Sequence, residues 1–205
     1  MPEKNDSLHG NAPDRSPAAL LLIDVINDME FEGGESLLRH ALPAAGRIAE
    51  LKRTAKALGI PAIYANDNFG RWRSDFREVV ERCLTNDVRG APVAELLIPE
   101  PDDYFILKPK HSAFHATALD TLLRHLHSTR LILTGFTADS CVLLTAGEAH
   151  MRDYRLFVPP DCVASIAPAR SRSALEHMQR AFDVDTTPAA ELDLEALLEH
   201  GRKER

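Results

Sequence analysis

The sequence predicts an α/β fold, a parallel sheet with helices on both faces. Two observations lead there. Short apolar runs alternate along the chain with longer stretches whose apolar residues recur near a 3.6 period, the pattern of repeated strand–helix–strand units. The first run, Ala18-Ala19-Leu20-Leu21-Leu22-Ile23, is apolar without alternation and ends at Asp24, which suits a strand covered on both sides.

The elements follow in order. Residues 1–16 carry polar, Gly and Pro residues and few apolar ones, too few to offset the entropy of ordering. They are expected to form a flexible tail, with residues 17–205 as one domain. After the first strand, Ser36 opens a long helix with Leu37, Leu38, Ala41, Ala45, Ile48, Leu51 and Leu58 near one stripe, ended by Gly59. Residues 61–65 read as a second strand. Residues 66–103 are mixed, with short helices expected near 75–83 and 91–97. Residues 104–107 form a third strand that runs into Lys108. A helix over 118–127 carries Leu119, Leu122, Leu123 and Leu126 on one side. Residues 130–134 are a fourth strand, closed by Gly135 and followed by a helix from about Ser140 to Arg152. Residues 155–158 are a fifth strand, 169–181 a helix, 182–186 a weak sixth strand and 194–200 a last helix.

Composition narrows the function. The 205 residues carry 24 Lys and Arg against 31 Asp and Glu, a net charge of -7. That balance argues against a nucleic-acid or anionic-membrane footprint. With 44% hydrophobic and 27% charged residues, the chain is a globular protein able to bury a core without staples. No apolar stretch reaches the ~18 residues of a membrane span, and the opening Met1-Pro2-Glu3-Lys4-Asn5-Asp6 has no signal-peptide core. Cys83, Cys141 and Cys162 are too few and too scattered for a disulfide framework or a zinc cluster, and their odd number fits a reducing compartment. A cytoplasmic protein is expected. Gly-rich dinucleotide and phosphate fingerprints, C-x-x-C and the G-x-S-x-G elbow are all missing.

In parallel sheets ligands bind outside the carboxyl ends of the strands. The polar residues there are Asp24, Asn27, Asp28, Asn66, Asp67, Asn68, Lys108, Lys110, Thr137, Asp139 and Cys141. Three of them make a chemical set. Asp24 ends strand one, Lys108 ends strand three, and Cys141 lies in the first turn of the helix after strand four. A thiol at a helix start feels the positive end of the helix dipole, which favours thiolate. A nearby carboxylate can take its proton and an ammonium can hold the charges that result, the parts of an activated nucleophile. Cys83 and Cys162 lack such surroundings and are expected to be structural.

The wording of the sequence then becomes specific. Asp24-Val25-Ile26-Asn27-Asp28-Met29 resembles the D-x-x-N-D-F opening of the isochorismatase-like cysteine hydrolases. Lys108-Pro109-Lys110-His111-Ser112-Ala113-Phe114 is similar to that family's K-x-x-x-S-A-F segment. Gly135-Phe136-Thr137-Ala138-Asp139-Ser140-Cys141-Val142 is similar to its G-x-x-T/A-D-x-C-V segment, and Asp161 matches another recurrent acid. The resemblance implies a Rossmann-like three-layer sandwich with a mostly parallel six-stranded sheet in the order 3-2-1-4-5-6. It implies an Asp-Lys-Cys triad of Asp24, Lys108 and Cys141. It also implies a cis peptide at Phe136-Thr137 and an oxyanion hole from the amides of Thr137 and Cys141. Family members commonly pair, so a homodimer or homotetramer is expected.

Departures from relatives narrow the substrate. Nicotinamidases of this superfamily bind a metal through D-x-H after strand two; here the segment is Asp67-Asn68-Phe69, without the imidazole, so no metal and no cofactor are expected. Isochorismate-cleaving members, which break a vinyl ether, often lack the cysteine. The resemblance thus leaves carbon–nitrogen hydrolysis of a small amide, carbamoyl or ureido compound. Ether hydrolysis and a non-catalytic binding member of the same fold are the alternatives. Asn68, Phe69, Arg71, Trp72 and Phe136 are the expected substrate contacts. Trp72 would offer a planar face and Arg71 a grip for a carboxylate.

Overall fold

A computed structural model describes residues 15–68, 70, 75–85 and 87–199. Five parallel strands, β1 (Ala18–Ile23), β2 (Ala62–Asp67), β3 (Tyr104–Lys108), β4 (Arg130–Phe136) and β5 (Arg155–Phe157), lie in the order β3-β2-β1-β4-β5. The helices are α1 (Gly34–Ala57), α2 (Phe76–Thr85), α3 (Ala91–Leu96), α4 (Leu119–Leu126), α5 (Leu143–His150), α6 (Pro168–Phe182) and α7 (Leu194–Leu198). None of them is long and apolar enough to cross a membrane.

Strand β1 is central because it is apolar on both faces. It pairs with β2 from Leu20↔Ala62 to Ile23↔Ala65 and with β4 from Ala18↔Arg130 to Ile23↔Gly135. Its alternate side chains serve two separate cores. Ala18, Leu20 and Leu22 pack with Leu37, Ala41 and Ile48 of α1, whereas Ala19, Leu21 and Ile23 pack with Leu119 and Leu123 of α4 and Ala146 of α5. Helix, sheet and helix are the three layers the sequence predicts. The expected tail of residues 1–16 is corrected at its end: Ser16 is buried and its N–H donates to the Leu126 carbonyl at 2.7 Å, while residues 1–14 lie outside the described residues.

The expected order holds through five strands, and the sixth differs in detail. Residues 182–186 do not form a strand: Phe182 ends α6, and Asp183 caps it in the left-handed region. Only Asp185 reaches the outer edge, through a single parallel bridge to Phe157. A short strand forms earlier instead. β5 stops before Pro159 and Pro160, where the chain has no N–H to offer. It makes one 3-10 turn at Pro160–Cys162 and rejoins the sheet as β6 (Val163–Ala164). β6 pairs with the tip of β4, Gly135↔Val163 and Phe136↔Ala164.

The tips of β1 and β4 approach so closely that only glycine fits at 135. A Cβ there would lie 2.0 Å from the Ile23 carbonyl oxygen, and φ is +109°. Ile23 directly precedes Asp24, and Gly135 stands just before the turn that carries Cys141, so this contact sets the width of the candidate site. Gly135→Ala is expected to cost about 3 kcal/mol through backbone overlap and left-handed strain. Urea unfolding checks this; a loss under ~0.5 kcal/mol, the scale of an ordinary surface substitution, would contradict it.

Candidate active site

Three strand ends converge at the carboxyl edge of the sheet. Asp24 follows β1 with φ +52°, a conformation that Asp tolerates better than most residues. Its N–H donates to the Ala65 carbonyl at 3.0 Å, and its Oδ1 accepts from the Asp67 N–H at 2.7 Å. The carboxylate is therefore stitched to β2. Lys108 is the last residue of β3, opposite Asp67 in the register. Its side chain is wholly buried, and its Nζ lies 2.8 Å from Asp24 Oδ2 and 3.7 Å from Asp67 Oδ2. The same ammonium donates to Cys141 Sγ at 3.7 Å.

Cys141 is delivered by an irregular turn. The Phe136-Thr137 peptide is cis, as the resemblance implied. Thr137 is extended, and Ala138–Val142 form a π-helical turn before α5. The Thr137 carbonyl accepts from the N–H groups of Ser140 and Val142, both at 3.2 Å, on either side of Cys141. Thr145, one turn further on, donates to the Cys141 carbonyl at 2.7 Å and accepts from the Ala113 N–H at 3.0 Å. That hydroxyl ties the segment after β3 to the helix that bears the thiol.

Burial dominates the electrostatics. It raises the Asp24 carboxyl above its ordinary value, although Lys108, Cys141 and the Asp67 N–H pull it back. Burial works against the Lys108 ammonium too, but Asp24, Cys141 and Asp67 together hold it above its ordinary value. Burial and then Asp24 push the Cys141 thiol up to about 12, with Lys108 opposing. The expectation of a dipole-stabilised thiolate is thus corrected: desolvation, and then Asp24, raise the thiol above its ordinary value and outweigh the helix start. What the arrangement offers is a thiol beside a buried carboxylate of raised proton affinity, with one cation in contact with both.

The other sequence candidates lie in different places. Asn27, Asp28 and Asn68 hold loops. Asn27 Oδ1 accepts from the Met29 N–H, Asp28 pairs with Arg82 at 3.0 Å, and Asn68 Oδ1 accepts from the Gly70 N–H at 2.9 Å. Asn66 donates to the Ile26 carbonyl at 2.6 Å, from the opposite sheet face. Phe136, expected to touch substrate, is packed in the α1-side core at 2% exposure, so its ring belongs to the core. Phe69, Arg71 and Trp72 lie outside the described residues. Cys83 and Cys162 are buried, and burial raises both thiols, Cys83 to about 11. Sequence reasoning missed Ser165 and Arg170, which bond to Asp139 two residues before the thiol. Among the described residues no three His, Cys, Asp or Glu side chains converge in a way that could hold a metal ion.

Removing Lys108 would leave the Asp24 carboxylate buried with little to answer it. Lys108→Met is expected to lose about 3–5 kcal/mol at neutral pH, the usual cost of breaking one half of a buried pair. Without the cation the Asp24 pKa rises further in the folded state. The variant's deficit therefore shrinks as pH falls through that raised value, where the folded carboxyl is neutral, and is full above it. Thermal unfolding of parent and variant from acid to neutral pH checks the sign; a deficit that grows on acidification would contradict it.

Comparison with known proteins places the chain. Residues 18–190 match the isochorismatase domain family. The uncharacterized isochorismatase family protein YaaI of Bacillus subtilis is 38% identical over 173 residues, 84% of this chain and 94% of that protein. The isochorismatase of the same organism is 32% identical over 171 residues, 80% of this chain but 54% of its own length. The structure is similar to N-carbamoylsarcosine amidase from Thermoplasma acidophilum, with a TM-score of 0.65 and 25% identity over 86% of this chain and 98% of that one. Sheet order, sequence and structure agree: the chain belongs to the isochorismatase family.

Proposed function

We propose that this isochorismatase-family protein is a cysteine hydrolase that cleaves a carbon–nitrogen bond of a small amide, carbamoyl or ureido compound through a thioester. The observation that carries the reading is the Cys141 thiol 3.7 Å from a wholly buried ammonium that is already paired with Asp24. Ether cleavage has no use for a thiol so placed. The likeness to an N-carbamoylsarcosine amidase supports the carbon–nitrogen class.

In this mechanism Asp24 takes the Cys141 proton as Sγ attacks the carbonyl carbon. The N–H groups of Thr137 and Cys141 receive the oxyanion, an interaction worth ~3–4 kcal/mol per donor in comparable sites. The tetrahedral centre collapses, the carbon–nitrogen bond breaks, and the proton on Asp24 passes to the leaving nitrogen. Ammonia or an amine departs, leaving a thioester on Cys141. Asp24 then takes a proton from water, the hydroxide adds to the thioester, and the thiol is regenerated with release of the acid. Splitting one hard displacement into two easier steps is the gain. Lys108 stays protonated throughout and orients Asp24. The mechanism calls for no metal: Asp67, the retained acid of the nicotinamidase ligand pattern, already faces the Lys108 ammonium.

Ammonia release over a panel of small amides and ureides tests the reading. The parent is expected to turn over at least one member. Cys141→Ser should fall by roughly a thousandfold or more, as loss of a covalent nucleophile does elsewhere, while Cys83→Ser retains activity. kcat/KM should rise with pH as Asp24 ionises, with a midpoint above the ordinary 3.8 of an aspartate. Cys141→Ser with most of the parent's activity would overturn the covalent mechanism.

Self-association belongs to the same reading. α5 and the residue that caps it show Leu144 and Met151 to solvent, beside a groove of about 440 Å³ formed with Ser112, His115 and Phe182. The proposed occupant of that apolar face is a second copy of the chain, in a homodimer or homotetramer. Sedimentation at micromolar concentration should show the oligomer, and Leu144→Glu should shift it toward monomer. A monomeric parent would reject the idea.

A further inference from the structure

The turn that carries Cys141 is gripped from outside. Asp139 lies two residues before the thiol and spends both carboxylate oxygens on other elements. Ser165 Oγ donates to Asp139 Oδ1 at 2.6 Å and accepts from the Asp139 N–H at 3.4 Å. Arg170 Nε pairs with Asp139 Oδ2 at 2.5 Å. Ser165 is 1% exposed and directly follows β6, whose pairing with Gly135 and Phe136 brings it level with Thr137. Arg170 stands near the start of α6. One carboxylate thus joins the tip of β6, the start of α6 and the π-helical turn.

The latch stays closed at working pH. Burial alone would raise the Asp139 carboxyl, but Ser165, its own N–H, Arg170 and Thr137 outweigh burial and hold it below its ordinary value. An acid in the first turn of a helix has a plain alternative role, a dipole contribution of ~0.3–1 kcal/mol to stability. That role needs neither a buried serine clip nor an arginine from another helix. The chemistry, in contrast, needs the turn to be held: Sγ must meet Lys108 Nζ while the Thr137 and Cys141 amides converge on one oxygen, and ~1 Å of misplacement in such a site costs about 100-fold in rate.

We propose that Asp139, latched by Ser165 and Arg170, is a positioning residue that sets the Cys141 thiol against Lys108. For turnover the proposal rests on the cysteine-hydrolase reading; for the thiol's own reactivity it does not. The experiment therefore reads both. The rate of iodoacetamide labelling of Cys141 is followed by peptide mass spectrometry at several values between about pH 7 and 10, beside kcat and KM for the best substrate of the panel.

With Asp139→Ala the labelling rate should fall at every pH in that range, because the thiolate loses its contact with Lys108. kcat should fall about tenfold or more with KM within about twofold, the pattern of a defect confined to the transition state. Asp139→Asn keeps an acceptor for Ser165 and should recover much of the loss, and Ser165→Ala should fall between. If Asp139→Ala fails to fold by circular dichroism, Asp139→Asn and Ser165→Ala decide the matter. A folded Asp139→Ala with the parent's labelling profile and kcat, and only a lower Tm, would overturn the proposal. Should the parent release no ammonia from any compound, the hydrolase reading fails, and the labelling profiles still decide the latch.

Discussion

A lysine ammonium with no access to water must have its charge answered by the protein itself. Lys108 is such a group, and Asp24 at 2.8 Å supplies the answer. The pairing needs the ends of β1 and β3 to be level, with β2 between them presenting the Asp67 N–H to Asp24 and the Asp67 carboxylate to Lys108. It needs β1 buried on both faces, because a frayed central strand would let water into the pair. It also needs β4 close against β1, since the thiol that shares the ammonium is carried from its tip. The doubly apolar strand, the glycine at 135 and the two cores are conditions for keeping one cation dry.

The same burial sets the reactivity. A solvated site would leave the carboxylate weakly basic and the thiol easier to ionise. In this site desolvation raises both Asp24 and Cys141, so that one proton is contested between two neighbouring groups of raised affinity. Lys108 favours whichever of them is charged. In the proposed mechanism the proton moves as a substrate carbonyl gives the thiolate somewhere to go. Fixed groups aimed at the developing charge act with little reorganisation, and a water-poor site strengthens them.

Much of this was legible in the sequence because period and strand ends are local properties. The apolar run at β1, the stripe of α1 and the acid, lysine and thiol that follow β1, β3 and β4 could be placed without coordinates. β6 could not, since two residues have no period and their pairing is decided by Pro159, Pro160 and the tip of β4. Ser165 and Arg170 hang from that unseen strand and from α6, so their convergence on Asp139 was hidden with it. The state of the thiol was missed for another reason: the helix start is visible in sequence, whereas the burial that outweighs it is not. Phe136 had a usable signal. Ile132 and Phe136 share the α1-facing parity of β4, while Leu131 and Leu133 face the side of the thiol.

The central claim is that a carbon–nitrogen bond is exchanged for a bond to Cys141. It is tested most directly by mass spectrometry of the enzyme acid-quenched during turnover of its best amide or ureide substrate. The account predicts a mass increase equal to the acyl group, located on the peptide that contains Cys141 and removed by hydroxylamine. Steady ammonia release with no adduct at any quench time, and undiminished turnover after complete alkylation of Cys141, would contradict it.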